Sequence, residues 1–394
     1  MFRQIVFWLH LIAALISGLV IAILCFTGTV LAFEKQWVAW SERDARQISP
    51  PSADSTRLSL DELRARLRTA HPDARPTSLI VQREPTAAVA VLVGRGGPYY
   101  LDPYTGEIRE PASKAVSAFM QTMVSWHRYL GFAGETSRPR GKLVNGLANL
   151  AFTFLAISGL ILWLPRIWSW RAVRPSLWFR PNPSSRARDF NWHNTIGFWS
   201  APVLIALTLT ALPISFRWAG SLLYTLTGTP LPASGPQSSG AAPPAATVAA
   251  PAAGTPHVSA DLLLAAAQST LPAWETITLR FPAAGAAQPA TLAVRESATW
   301  PRTAVTTLQY DPFTAQLLRR DGYADLNAAR QIRAWTRYLH TGEALGPVGQ
   351  FVAGLACLGA LFLVYTGFAL SWRRFFSRRG APPPRAEPAS STLS

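Results

Sequence analysis

Residues 1–33 read MFRQIVFWLHLIAALISGLVIAILCFTGTVLAF, and from Ile5 to Phe33 no residue in the run carries a full charge. A hydrocarbon core of about 30 Å takes roughly 20 helical residues to cross, so the run is long enough to span it. It is too long for the apolar part of a signal peptide, and no small-residue cleavage site follows, so an uncleaved membrane helix is expected. About one turn into it stands His10. Ionisable groups at membrane depth are costly and mark function by default. The rest of the chain has to account for that histidine.

Three more apolar runs are long enough to cross: approximately Lys142–Leu164, Trp192–Phe216 and Pro347–Trp372. Trp163, Trp168, Trp192, Trp218 and Trp372 fall at the ends of runs, as interfacial aromatic belts do. The link RIWSWRAVRPSLWFRPNPSSRAR (166–188) carries six arginines and no acid, and RRFFSRR follows Trp372. The positive-inside rule places both segments, and with them both termini, in the cytoplasm. The two long connections then lie outside, in the periplasm if the bilayer is a bacterial inner membrane. The net charge of +16 is mostly arginine beside apolar runs, which fits topology and a lipid bilayer and speaks against nucleic acid. Cys25 and Cys357 both sit in apolar runs, which argues against a disulfide framework. The sequence contains no CxxCH, Walker loop, GxGxxG or GxSxG, so it offers no sign of covalent haem, a nucleotide fold or a serine hydrolase.

The outer connections carry a repeated plan. SLDELRARLRTAHP has a serine cap and leucines at helical spacing, and TSLIVQRE, AAVAVLVG and YYLDPYTGEIRE read as strands. VSADLLLAAAQSTLP, ETITLRFP, ATLAVRES and TTLQYDPFTAQLLRRD repeat that order. DPYTG and DPFTA are tight turns with proline at the second position. Residues 229–256 are a Pro/Ala-rich flexible linker. The spans repeat as well. WHRYL (126–130) matches WTRYL (335–339), Gly141 precedes Gly159 by as much as Gly349 precedes Gly367, and His10 precedes Thr27 by as much as His193 precedes Thr210.

The fold class expected is therefore membrane α-helical: a four-helix transmembrane bundle from two duplicated halves, with two small α+β outer domains. The divisions are 1–33, first membrane helix; 34–114, first outer domain; 115–141, amphipathic helix and turn; 142–165, second membrane helix. The basic loop 166–190 leads to the third membrane helix at 191–216. An outer segment with the linker (217–256), a second outer domain (257–323) and a second amphipathic helix and turn (324–346) follow. The fourth membrane helix (347–372) and a basic tail (373–394) end the chain.

His71 and His257 read as solvent-exposed. The other four histidines form two sets: His10 and His193 near the cytoplasmic ends of spans, and His127 and His340 just outside spans two and four. Each membrane face thus receives one histidine from each half. Zinc sites usually show three or four ligands, often with Cys or acids close in sequence. Two neutral imidazoles per site suit six-coordinate haem iron, so two non-covalent, bis-histidine b-type haems are expected, stacked as an electron relay. Gly18, Gly28, Gly159, Gly197 and Gly367 would admit flat rings or serve helix packing. Arg128 and Arg337 flank the outer pair as cations for propionates, with Arg3, Arg186 and Arg188 available inside.

The set W-L-H-L-I-A in span one, YYLDPYTGEI, SWHRYLGF, NWHNTIGFW and YLHTGEALGPVGQ resembles the PepSY-associated transmembrane helix family of iron-regulated bacterial inner-membrane proteins. The resemblance spans essentially the whole chain apart from the linker and tail. It implies PepSY-like outer domains and His10, His127, His193 and His340 as axial ligands. It also implies reduction of a ferric siderophore or other ferric chelate on the periplasmic side. The chain lacks the flavodoxin- or NADPH-binding domain fused to some members, so the electron donor would be external: a quinol or a cytoplasmic flavoprotein. Tyr99, Tyr100, Tyr104 and Tyr310 are weak candidates for holding the chelate, and strand packing is the preferred reading of them. A PepSY-type binding or regulatory protein without redox activity, and an iron-chelate transporter, are the alternatives.

Overall fold

A computed structural model describes the chain except residues 53, 95–97, 112–113, 166, 182–183, 233–245, 250–251, 253, 281–287, 298 and 377–394. Most of the expected linker and the basic tail beyond residue 376 lie outside the described residues. In chain order the helices are α1 (Phe2–Leu31), α2 (Glu34–Ser41), α3 (Arg43–Arg46), α4 (Leu60–Ala70), α5 (Ala115–Tyr129) and α6 (Arg138–Trp163). The second six are α7 (Trp170–Leu177), α8 (Ser185–Ser215), α9 (Arg217–Leu226), α10 (Ala260–Thr270), α11 (Ala328–His340) and α12 (Gly346–Phe376). Strands β1 (Pro76–Gln82), β2 (Val89–Val93), β3 (Pro98–Leu101) and β4 (Ile108–Arg109) follow α4. Strands β5 (Trp274–Arg280), β6 (Ala290–Glu296), β7 (Thr306–Tyr310) and β8 (Leu317–Asp321) follow α10.

Four helices are long and apolar enough to cross a membrane: α1, α6, α8 and α12. They outrun the apolar segments read from sequence because polar turns extend them. α8 begins at Ser185, where the Ser184 hydroxyl accepts the Ala187 N–H. Trp192 therefore lies about two turns inside α8 and not at its end. α6 begins at Arg138, with a proline in its first turn. α1 and α8 each pack on both α6 and α12, which closes a four-helix bundle. Its surface is the inverse of a soluble protein's. Ile16, Leu19, Phe351 and Leu355 are exposed, while Ser17, Thr27, Asn149, Ser158, Thr208 and Thr366 are buried. Outward hydrocarbon suits lipid, and inward hydroxyls bond backbone carbonyls one turn back, as Thr27 does with Ile23 at 2.7 Å. At mid-depth the interior is Ile21, Cys25, Leu204, Ala356 and Ala360.

The two outer units were expected as separate small domains, but they share one sheet. The strand order is β4-β3-β2-β1-β5-β6-β7-β8, antiparallel throughout, with Leu79 facing Leu279 at the seam. Strands β1 and β5 pair across almost two hundred residues of chain, a contact that local patterning does not reveal. Helices α4 and α10 cap each other. The Asp261 carboxylate accepts the Leu60 N–H at 2.9 and 3.0 Å, and Asp61 accepts the Ala260 N–H at 2.9 Å. Below them lies one core, with Leu63, Leu67, Leu79, Leu263, Ile277 and Leu308 fully buried. Each such side chain contributes about 1.5–3 kcal/mol relative to exposure. Buried Glu42, just past α2, accepts the Tyr100 hydroxyl at 2.8 Å and ties the chain leaving α1 to the sheet. α5 packs on α1 and α6, while α11 packs on α8. The bundle thus has a sheet-proximal and a sheet-distal end. At the latter, α7 is a helix inside what reads in sequence as a basic loop.

Candidate functional site

The sheet-proximal histidines come from helices that lie beside the bundle. His127 sits in the last turn of α5 and His340 is the last residue of α11. Their ring centroids are 6.1 Å apart, with the planes at 48°. His127 Nδ1 lies 2.8 Å from Thr27 Oγ1. The single hydroxyl hydrogen of Thr27 is already given to the Ile23 carbonyl. The hydroxyl therefore accepts, and Nδ1 of His127 carries the proton. His340 Nδ1 lies 2.9 Å from the Leu207 carbonyl, an acceptor only, so it too is protonated at Nδ1.

The sheet-distal histidines sit on the membrane helices themselves. His10 Nδ1 lies 2.8 Å from Ser158 Oγ, and His193 Nδ1 lies 2.9 Å from Thr366 Oγ1. Ser158 and Thr366 both donate back to carbonyls of their own helices, Leu155 and Phe362. The 2.7 Å bond from Thr366 leaves its oxygen to accept, so the same reasoning gives Nδ1–H in His193.

All four imidazoles are therefore held alike, with Nδ1 against a protein oxygen at 2.8–2.9 Å, and in His127, His193 and His340 Nδ1 carries the proton while Nε2 holds a lone pair. Among the described residues Nε2 of none of the four has a hydrogen-bond partner. Each ring keeps some accessible surface although protein surrounds it. Burial pushes the His127 imidazole down to about 4, with His340 opposite adding to the effect, and burial lowers His340 as well. Both rings are neutral at ordinary pH, the form that ligates metal.

Glycines complete three of the cradles. A Cβ on Gly159 would stand 3.5 Å from His10 Cε1, one on Gly367 3.6 Å from His193 Cε1, and one on Gly28 3.5 Å from His127 Cε1. Thr27-Gly28, Ser158-Gly159 and Thr366-Gly367 thus share one arrangement: a hydroxyl holds Nδ1 and the next residue lies against the ring, where a methyl would still make an ordinary contact. Gly18 and Gly197 do other work, packing under Phe368 and Leu363. The Ser/Thr–Gly pairs were visible in the sequence. Their partners were not, because each contact crosses between helices.

Among the described residues no third histidine, cysteine or carboxylate joins either pair. That donor set suits a metal whose other ligands are not protein. Two imidazoles sharing one metal through bonds of ~2 Å hold their ring centres roughly 6 Å apart, as His127 and His340 do. His127 and His340 therefore fit bis-imidazole haem, and His10 and His193 present the same donor set. On α1 the His10 and Thr27 levels are separated by about 25 Å of helix rise, so a single group cannot serve both pairs.

The flanking arginines are less committed. Arg128 is exposed and lies over the Tyr129 ring at 5.3 Å, near the like charges of Lys142 and Arg217. Exposed Arg337 stands near Glu34. At the other end Arg3 donates to the Leu162 carbonyl. Arg188 joins Arg373 on Asp189, at 3.0 and 2.6 Å. Asp189 is fully buried, one turn before His193, and the sequence reading passed over it as a lone acid in an arginine run. His71 and His257 were expected in solvent. Each instead packs on an aromatic ring: His71 against Tyr99 at 4.6 Å, His257 against Phe313 at 4.9 Å. Three of the candidate tyrosine hydroxyls are used inside the fold, Tyr100 on Glu42, Tyr104 on the Pro85 carbonyl and Tyr310 with Thr270. Between the sheet and the bundle lies a polar cleft of about 280 Å³, lined by Lys35, Arg295, Arg302, Thr303, Tyr338 and Gln350 among others.

The model of the PepSY-associated TM region family matches residues 7–374. No curated protein matches the chain. By the extent of the family match, the chain belongs to the PepSY-associated TM region family.

Proposed function

From that membership and from the four histidine cradles, we propose that the protein carries electrons across a bacterial inner membrane to a ferric chelate. One b-type haem would be held by His10 and His193, a second by His127 and His340. The observation that carries this reading is the common anchoring of the imidazoles: four Nδ1 atoms 2.8–2.9 Å from fixed protein oxygens and, among the described residues, four Nε2 atoms without a partner, grouped two and two. A b-type haem held by each pair would supply one-electron redox chemistry there.

The chain's own residues fix the ring planes, raise imidazole basicity through the Nδ1–H bonds and exclude water. The apolar interior between the two levels, Ile21, Leu204 and Ala360, keeps the intervening space dry. The sheet-distal end carries Arg171, Arg174, Arg180, Arg186 and Arg188 together with Arg373 and Arg374, which favours a cytoplasmic location by the positive-inside rule. The sheet then lies in the periplasm. There Lys35 of the cleft is paired with Glu343 at 2.6 Å and Arg295 lies 3.6 Å from Glu275, while Arg302 is offered to a negatively charged chelate. Reduction to Fe(II) loosens it, because hard oxygen ligands hold Fe(II) less well. The matched cradles and the mirrored halves of the sheet support an origin by duplication.

The test is haem content and spectrum of the purified full chain from haem-replete cells. Two haems per chain with a split low-spin spectrum on reduction are expected. A colourless protein sinks the reading and leaves a PepSY binding protein.

A further inference from the structure

At the sheet-distal end, between α6 and α8, lies a cavity of about 600 Å³. Its walls include Leu160, Ile161 and Trp163 of α6 and Phe198 of α8, and Val173 and Leu177 of α7 roof it. The volume is in the range of small-molecule sites, ~300–1,000 Å³. The roof is fastened. Trp199 Nε1 donates to the Leu177 carbonyl at 3.0 Å, and buried Asn191 donates to the Pro175 and Trp178 carbonyls at 2.9 and 3.1 Å while accepting the Arg180 N–H. In the apolar lining one polar group stands out: among the described residues the buried Trp163 indole N–H has no partner. Such a group costs ~1–3 kcal/mol until an acceptor reaches it. The Trp163 ring stacks on Phe198 at 4.2 Å, with the planes 25° apart. Trp163 lies one helical turn beyond Gly159, which abuts His10.

A ligand for this cavity must dissolve in hydrocarbon, present a flat ring to an aromatic pair and offer an oxygen to a single N–H. An acyl chain would fill the volume and leave the N–H unpaired. We propose that the cavity binds membrane quinol, which serves as the electron donor. This rests on the reading of His10 and His193 as holding a redox group. Trp163 Nε1 donates to a ring oxygen, and Phe198 and Trp163 align the ring. One quinol becomes quinone, losing two electrons and two protons. The electrons match two ferric ions reduced to ferrous at the opposite face, and the protons leave to water at the sheet-distal surface.

The test uses the full chain in lipid nanodiscs and a short-chain azido-benzoquinone as photoprobe. Labelling is expected within residues 157–177, competed by unlabelled quinone and not by added phospholipid. Trp163→Phe keeps the aromatic surface and removes the N–H. It should weaken labelling about tenfold, the equivalent of 1.4 kcal/mol, and slow reduction by a short-chain quinol while dithionite reduction stays unchanged. Labelling elsewhere, competition by phospholipid, or full quinol reactivity in Trp163→Phe overturns the proposal. Saturable labelling of a haem-free protein would keep the quinone site and sink the electron-transfer reading. A dithionite-reducible dihaem protein with no labelling and no quinol reactivity would do the reverse.

Discussion

The two halves of the chain treat the two ends of the bundle differently. At the sheet-distal end they are matched. His10 leans on Ser158-Gly159 of α6, and His193 leans on Thr366-Gly367 of α12. At the sheet-proximal end they are not. His127 leans on Thr27-Gly28, whereas His340 takes the bare Leu207 carbonyl, and the counterpart of Thr27-Gly28 is Thr210-Ala211. Thr210 gives its hydrogen to the Ala206 and Leu207 carbonyls of its own helix. The sequence explains the difference. WHRYL holds its histidine at the second position, while WTRYLH holds it four residues further along, on the same helical face but one turn on. A ring displaced by a turn meets a different part of α8. The anchors thus match where the histidines are intrinsic to the bundle and differ where peripheral helices deliver them.

The largest effect that could break this picture comes from the histidines. His10→Ala or His193→Ala should remove the same spectral component and about half of the haem, and His127→Ala or His340→Ala the other half. Pyridine haemochrome assay with low-temperature spectra of the reduced protein reads this directly. If His10→Ala and His127→Ala remove the same component, the two-and-two grouping is wrong.

The anchors come next. Thr27→Ala, Ser158→Ala and Thr366→Ala each release one Nδ1, and loss of such an outer partner weakens metal retention ~10–100-fold. Thr210→Ala should change little, because His340 does not use that hydroxyl. Haem transfer to apomyoglobin measures the series, and Thr27→Ser should restore retention. The glycines sharpen the same contrast. Gly159→Ala places a methyl 3.5 Å from His10 Cε1, an ordinary contact, and should be silent. Gly159→Val adds carbons that must displace the ring, and should behave like Ser158→Ala. Equal losses at Thr27 and Thr210 would mean that the asymmetry of the proximal end has no consequence for binding.

Much of this site was legible because hydropathy and one ionisable residue per span are local signals. His10, with no charge from Ile5 to Phe33, is visible to anyone counting. What escaped depends on contacts across the chain. The start of α8 was missed because Ser185–Asn191 is polar and its helicity rests on the Ser184 cap. The single sheet was missed because β1 and β5 looked like strands of separate units. Asp189 was missed because its second arginine, Arg373, comes from the far end of the chain.

The smallest effect lies in the sheet, where the halves again differ at one place. Asp102 and Asp311 each accept two N–H groups within their turns, and the residues that follow, Gly106 and Ala315, have φ of +74° and +58°. Left-handed backbone costs a non-glycine ~1–2 kcal/mol. Ala315 is tolerated because its methyl packs on the core, against which Ala266 also packs. The counterpart of Ala266 in α4 is Arg66, whose guanidinium donates to the Thr105 carbonyl at 2.7 Å and fills the space a Cβ on Gly106 would need. Ala315→Gly exchanges relief of strain against a lost methyl contact and a freer unfolded chain, terms of similar size, so it should be neutral within ~0.5 kcal/mol. Gly106→Ala has the strain without the contact and should cost ~1–2 kcal/mol. Combined with Arg66→Ala it should recover part of that loss, which a double-mutant cycle on thermal unfolding of the full chain would detect. Strict additivity of the two changes would show that backbone conformation alone selects glycine at 106, and that the arginine has no part in it.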